Sequence, residues 1–360
     1  MVTTPYSSFP TKSFWSRGVS RGFRPEDLVS TETKFFRKGD KVVSAGSCFA
    51  ANIVPYLEKS GFAYVRAEVR PSILRVPTEN LGYDNFSASY GNIYTARQLL
   101  QLFYRAMGIW QPKENVWEVG GEFIDPFRPG LRYRARSREE FDALTQQHLK
   151  QVKKAFETAS VFVFTLGLTE AWVSQDDGAV FPACPGTVAG EFNATRHKFH
   201  NMTVDEVIGD LNEFICEVRK INPTLRVILT VSPVPLVATA TGGHVLHASI
   251  YSKSVLRVAA ETVVGANDNT FYFPAYEIVT GPQSPADFFE ADKRNVSRVA
   301  VETVMSALLA NCELSDVAPA APSLIGTVKQ NDSQALSQAL VAAECEEAMS
   351  DVFGPESAGS

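Results

Sequence analysis

Ser47 and Cys48 stand where a nucleophile is useful. They follow a short apolar run, Val42 to Ala45, that reads as a buried strand and is broken by Gly46. A helical pattern comes next, with Phe49, Ile53, Tyr56 and Leu57 on one face and Gly61 as its stop, although Pro55 removes one backbone donor inside it. A strand–turn–helix exposes the side chain on the turn, and the helix N-terminus favours negative charge on a thiolate or an oxyanion. A thiol ionises far more readily than a hydroxyl near neutral pH, so Cys48 is the better nucleophile, with Ser47 open beside it. The bland alternative is a βα turn whose small residues serve packing alone.

Attack also needs a base, and the chain has five histidines: His148, His197, His200, His244 and His247. His148 lies in a polar helical stretch and reads as solvated. His244 and His247 follow a strand end, on a loop with Gly242-Gly243, and are the candidates for general base. The pairs 197/200 and 244/247 also admit a metal reading, but no carboxylate or cysteine has fitting spacing nearby, and only Asp292 could approach in space. No metal and no cofactor is expected, and no glycine-rich phosphate loop is present.

Gly46-Ser47-Cys48-Phe49-Ala50 spells the motif that names the GSCFA family, and the sequence resembles that family and, through it, the SGNH (GDSL-type) hydrolases. Further blocks continue the resemblance in order across roughly residues 12 to 310: Tyr90 to Thr95, Thr165 to Trp172, Thr230 to Pro235, Tyr251 to Ser254 and Phe273 to Glu277. The resemblance implies roles. Cys48 takes the position of the superfamily's serine nucleophile. Gly91-Asn92 is similar to the block whose glycine supplies an oxyanion-hole amide. Gly167 to Glu170 is similar to the Gly-x-Asn-Asp block, with Thr169 in place of the asparagine and Glu170 as a structural or substrate-orienting acid. The last block departs from the pattern. Where SGNH enzymes carry Asp-x-x-His, this chain has Asp292-Lys293-Arg294-Asn295, and asparagine accepts no proton at neutral pH. Either the base comes from elsewhere, His244 or His247 with Asp292 orienting it, or the site binds without catalysis.

Several elements must position these residues. Val161 to Leu166 is the clearest buried strand; Phe62–Val65, Arg226–Val231 and Thr270–Phe273 are others. Helical periodicity marks 95–107, 139–157, 203–221, 252–264 and 296–309, while 110–136 and 173–200 read as loop-rich insertions. Strands alternating with helices predict an α/β fold, a doubly wound and mostly parallel sheet with helices on both faces, SGNH- or flavodoxin-like. In such a sheet the site lies beyond the carboxyl ends of the strands, where the turns at 46–48, 167–170, 232–235 and 274–277 converge.

The chain has 360 residues, 45% hydrophobic and 21% charged, an ordinary globular composition. No apolar run approaches the roughly 20 residues of a membrane span, and the N-terminus lacks a signal-peptide pattern, so a cytoplasmic location is expected. Five widely spaced cysteines suggest free thiols. The net charge of −6 resides in residues 313–360, which hold eight acids and one base, so the near-neutral body gives no charge argument for nucleic acid or membrane. Residues 1–312 read as one domain, with an aromatic and basic lead-in over 1–40, and 313–360 as a disordered tail. The leading expectation is an SGNH-like hydrolase or acyltransferase for a small-molecule or carbohydrate acyl ester, acetyl among the candidates. A non-catalytic binding protein and a metal-dependent hydrolase are the alternatives. Truncation of the acidic tail is expected to leave the melting temperature nearly unchanged in calorimetry; a fall of many degrees would show that the tail packs on the body.

Overall fold

In a computed structural model of the chain, residues 4–29, 34–69, 82–83 and 85–313 are described. The first half runs α1 (Trp15–Gly18), β1 (Lys41–Gly46), α2 (Cys48–Lys59), β2 (Ala63–Tyr64), α3 (Ala96–Met107), β3 (Trp117–Val119), β4 (Glu122–Ile124) and α4 (Arg138–Thr158). The second half runs β5 (Val161–Leu166), β6 (Glu170–Ser174), β7 (Val180–Phe181), β8 (His197–Asn201), α5 (Val204–Ile221), β9 (Arg226–Val231), α6 (Val245–Ala266), β10 (Thr270–Tyr272), α7 (Ala275–Thr280) and α8 (Arg298–Ala310).

Five strands form a parallel sheet in the order β10-β9-β5-β1-β2. Counted along the sheet, that is the flavodoxin-like order 2-1-3-4-5, whose direction of winding reverses between β1 and β5. β5 and β9 are buried at every position, because helices cover both faces, so they read as unbroken apolar runs. One face packs against α3, α4, α5 and α6 around Phe103, Phe156, Phe162 and Phe214, which meet largely edge to face. The other carries α2, α7 and α8, with Phe49, Ile53, Leu57, Ile278 and Val304 inward. Of the lead-in, Val29, Phe35 and Phe36 join this second core, whereas Tyr6, Phe9 and Trp15 are exposed.

Several readings of the sequence change, among them the insertion at 110–136, which contributes the antiparallel pair β3–β4. The segment expected as a loop at 173–200 contributes β7 and β8, which pair antiparallel with β6 in the order β7-β6-β8; strands of two to five residues separated by Pro and Gly leave little periodicity to read. α6 starts at Val245, two turns before Ser252; its opening turns bury the small Ala248 and Ser249 and expose Leu246, Ile250 and Tyr251, so the large apolar residues do not mark the inward face. The Glu313 N–H donates to the Phe36 carbonyl (2.9 Å), and its carboxylate accepts from Lys38 N–H (3.1 Å). Residues 314–360, all but the first residue of the segment read from sequence as a disordered tail, lie outside the described residues.

Gly46 ends β1 opposite Thr165 at φ +147°, and a Cβ there would stand 2.5 Å from the Thr165 carbonyl oxygen and 2.7 Å from its Cβ. Both obstacles belong to a central strand and cannot swing aside. Gly46→Ala is therefore expected to cost about 3 kcal/mol in urea unfolding, by backbone strain and overpacking together; a loss under about 0.5 kcal/mol would mean that the strands separate easily here.

Candidate functional site

The turn after β1 places Ser47 as N-cap of α2 and Cys48 as its first residue. Ser47 is 3% exposed, its side chain caps no N–H of the helix, and its hydroxyl oxygen is buried without a hydrogen-bond partner. Cys48 is half-buried and lines a cleft of about 300 Å³ at the carboxyl ends of the strands. The turns after β5 and β9 complete the floor with Gly167, Leu168, Ser232 and Val234. Trp172, Phe181 and Phe199 from the antiparallel sheet form one wall, and residues 235–240 form another. The site thus sits at the topological reversal between β1 and β5.

Hydrogen bonds lace the floor together. The Tyr94 carbonyl accepts from Gly167 N–H (2.9 Å) and Leu168 N–H (3.1 Å), and Ile93 N–H donates to the Gly46 carbonyl (2.9 Å). The Thr169 N–H donates to Ser252 Oγ (3.0 Å), and Lys253 Nζ donates to the Gly167 carbonyl (2.5 Å). Lys253 is 3% exposed, and among the described residues no carboxylate pairs with it. Burial drives its ammonium down to about 7; negative charge on Cys48 favours the ammonium, and Arg294 opposes it. A buried lysine whose ammonium is pushed down this far, and whose charge is coupled to that of a cysteine on the cleft, marks a candidate functional group.

The structure brings Ser47, Cys48, Gly167 and Glu170 to one cleft and leaves the other residues proposed from sequence off its lining. Glu170 anchors the 235–240 wall by accepting from Thr239 Oγ1 (2.6 Å) and Ala240 N–H (3.2 Å). The Thr169 hydroxyl is turned to Asn201 Oδ1 (2.6 Å), and Thr169 is fully buried. Asn92 lines a separate small cavity beside Arg105, Arg128 and His148. Gly91, at φ +65°, is a turn residue whose Cα faces Arg128. His244 and His247 are exposed; His244 caps α6, its Nδ1 accepting from Leu246 N–H (3.1 Å). The earlier start of α6 is what carries both histidines into solvent.

Asp292 holds a turn, accepting from Arg294 N–H (2.9 Å), Asn295 N–H (3.0 Å) and Asn295 Nδ2 (2.6 Å), and that turn sets Arg294 on the cleft wall. Pro274 to Glu277 stays off the cleft: Glu277 pairs with Arg257 (2.6 Å) and accepts from the Tyr272 hydroxyl. His148, expected in solvent, is 1% exposed and meets Glu68 at 2.7 Å. The helix stretch is polar but its one inward stripe includes His148.

Among the described residues no three His, Cys, Asp or Glu side chains are grouped to hold a metal. His197 pairs with Glu114 (3.0 Å) and His200 with Glu206 (2.8 Å). They lie three apart on a strand, so they point to opposite faces. Among the described residues no helix is long and apolar enough to cross a membrane.

Lys253 was the residue sequence reasoning missed. The signal was present: Ser249, Ser252, Lys253, Leu256, Ala260 and Val263 fall on one helical face that is otherwise apolar or small, and a lysine there has to be buried.

A doubly wound α/β sheet with a thiol on its first βα turn defines the class of protein. The chain belongs to the GSCFA family, whose profile matches residues 41–308. No curated protein matches it. Similar solved structures include a mutant acetyl esterase with acetate ion (10% identity, covering 74% of this chain and 93% of that one, TM-score 0.33). A carbohydrate esterase family 3 protein from Talaromyces cellulolyticus has 10% identity, covers 75% of this chain and 94% of that one, and has a TM-score of 0.35. A chain described as a GDSL-like lipase, from Parabacteroides merdae ATCC 43184, has 10% identity, covers 79% of this chain and 100% of that one, and has a TM-score of 0.32. This chain spans 59% of a further similar structure, from Streptococcus pneumonia. With TM-scores this low, these likenesses carry no argument about activity.

The lysine gives a stability signature that needs no substrate. Its folded pKa lies near 7, below the ordinary lysine value of 10.5, so between those pH values the unfolded chain binds more protons and folding gains stability as pH rises. Lys253→Met is expected to be more stable than the parent at pH 6, with the difference shrinking steadily up to about pH 10 in urea unfolding. A difference that does not change with pH would place the charge in solvent.

Proposed function

We propose that this protein transfers acyl groups from esters, to water or to a second acceptor, with Cys48 as nucleophile and Lys253 as its base. The observation that carries the reading is the buried Lys253 amine, bonded to the Gly167 carbonyl behind the cleft floor and coupled electrostatically to Cys48, with no carboxylate to hold it charged. Ser47 is the weaker nucleophile, since its hydroxyl oxygen has no exposed surface.

In this mechanism the neutral Lys253 amine takes the Cys48 proton, and the thiolate attacks the ester carbonyl carbon. The carbonyl electron pair moves to oxygen, where the first turn of α2, uncapped by Ser47, and the Arg294 guanidinium face the developing charge. The intermediate collapses, the carbon–oxygen bond to the alcohol breaks, and the Lys253 ammonium returns the proton to the departing alkoxide. Water then attacks the thioester carbonyl and gives a proton to the Lys253 amine. The sulfur leaves as thiolate and is reprotonated, so one ester and one water become one acid and one alcohol. The sequence resemblance by itself suggests an acetyl ester of a carbohydrate; the mostly apolar lining of the cleft favours a longer acyl group.

Hydrolysis of p-nitrophenyl butyrate tests it. Cys48→Ala should abolish turnover, and Lys253→Met should lower kcat/KM by about 10²–10⁴-fold. Activity should rise with pH through about 7, as Lys253 loses its proton, and the variant should lack that limb. His244→Ala and His247→Ala should match the parent. Full turnover by Cys48→Ala would remove the nucleophile, and an intact acidic limb in Lys253→Met would remove the base.

A further inference from the structure

We propose that the cleft above Cys48 is an acyl-chain site, built for an unbranched apolar acyl group of about eight to ten carbons and not for acetyl or a sugar ring; this rests on the Cys48 reading above. The cleft has the room, holding about 300 Å³. A water-sized group occupies about 30 Å³, so roughly ten such groups fit where an acetyl group would fill two.

The walls have the matching chemistry. Trp172, Phe181, Phe199, Leu168, Val234 and Leu236 present apolar surface. A carbohydrate needs hydrogen-bonding groups facing it, because each hydroxyl taken from water without a partner is costly. Several polar side chains of the walls bond within the protein. Glu170 accepts from Thr239 Oγ1 and Ala240 N–H. The Thr187 hydroxyl donates to the Cys184 carbonyl (2.7 Å), and Cys184 Sγ donates to the Pro185 carbonyl (3.6 Å). Ser232 Oγ accepts from Val234 N–H (3.3 Å). Burial pushes the Cys184 thiol up to about 11, so it stays neutral against an apolar ligand. The positive groups lie at the Cys48 end: Arg294, the α2 N-terminus and, behind the floor, Lys253. That polarity, charge at one end and apolar surface over the rest, matches an ester carbonyl followed by a hydrocarbon tail.

The mouth continues the pattern. Val237 on the 235–240 wall is 37% exposed and Phe192, which packs edge to face on Trp172, is 44% exposed. Apolar side chains run from the cleft to its rim, so a chain longer than the cavity still meets hydrocarbon on the way out.

The experiment is a series of p-nitrophenyl esters from acetyl to dodecanoyl, each below its micellar concentration, with intact-mass detection of the acyl adduct on Cys48. Each buried methylene is expected to raise kcat/KM about fourfold, which amounts to about two orders of magnitude between butyrate and octanoate, levelling near ten carbons. Ala183→Trp, which places an indole in the cleft, should collapse the octanoyl-to-acetyl ratio by at least tenfold. Acetyl or acetylated-xylose esters turned over as fast as octanoyl would overturn the proposal, and the parent series decides even if that variant fails to fold. Calorimetric binding of decanoate and acetate to Cys48→Ala separates the two readings. Decanoate bound far more tightly than acetate, with no turnover of any ester by the parent, would keep the chain site and remove the nucleophile. Equal binding of the two would remove the chain site whatever the turnover.

Discussion

Between Gly46 and Thr165 there is no room for a methyl group, and the site depends on that closeness. The ends of β1 and β5 approach until the turns that leave them touch: a Cβ on Gly167 would lie 3.1 Å from Ser47 Cβ and 3.1 Å from the Tyr94 carbonyl oxygen. The segment at residues 93–94 then ties both strand ends through backbone hydrogen bonds, so neither turn can shift without the other. A parallel sheet that winds in opposite directions from β1 and β5 opens a crevice at this place in any case. The glycines decide that its floor is backbone, with Cys48 standing on it beside the start of a helix.

The second constraint is electrostatic. Other buried cations in the described residues have acids beside them. Arg105 and Arg128 share Asp125 (3.4 and 3.1 Å), and Arg226 pairs with Asp40. Burial pushes Glu68 up, but His148, Arg128 and the Ser89 N–H outweigh it and hold the carboxyl at about 2. The His148 imidazole is held below its ordinary value, chiefly by burial and by Arg128, so the pair is best described as a carboxylate accepting from a neutral ring. These networks settle their charges. Lys253 does not: it has one carbonyl partner, and its charge depends on pH and on what Cys48 carries. An unsettled buried charge lowers stability wherever it is not used, which is why such groups mark functional sites.

Much of the fold was legible because its signals are local. The V-F-V-F-T-L run of β5, the helical periods of α3, α4, α5 and α8, and the turn at Gly46 all follow from spacing and burial in short windows. The small antiparallel sheet was not legible, since strands of a few residues have no period and their pairing is set by contacts distant in sequence. The site was half legible. Ser47, Cys48, Gly167 and Glu170 meet because strand ends converge, and the sequence orders strand ends. His244 and His247 were read as a loop because the exposed opening of α6 hides its start. Lys253 was overlooked because reasoning by family blocks searched for a histidine at Asn295, when the informative residue was a charge on an inward helical face.

In the proposed reaction the same helix supplies the base in place of a histidine. Successive residues of α6 do two jobs: Ser252 accepts from Thr169 N–H and braces the turn after β5, and Lys253 hangs on the carbonyl two residues earlier, in the same turn. Lys253 is thereby positioned by an element that the fold needs for its own packing, with Leu256, Ala259, Ala260 and Val263 burying the next turns. A histidine on the loop before α8 needs a carboxylate to orient it; here Asp292 is spent on the backbone of that loop, and the loop delivers Arg294. The exchange changes the sign of the site. Arg294 lines the cleft with Cys48, Lys253 lies behind its floor, and positive charge on either favours negative charge on sulfur or on a carbonyl oxygen. In the proposed reaction each step passes through such a charge. Burial is what chiefly drives the Lys253 ammonium down, and Arg294, the cation that would steady the oxyanion in that reaction, acts in the same direction.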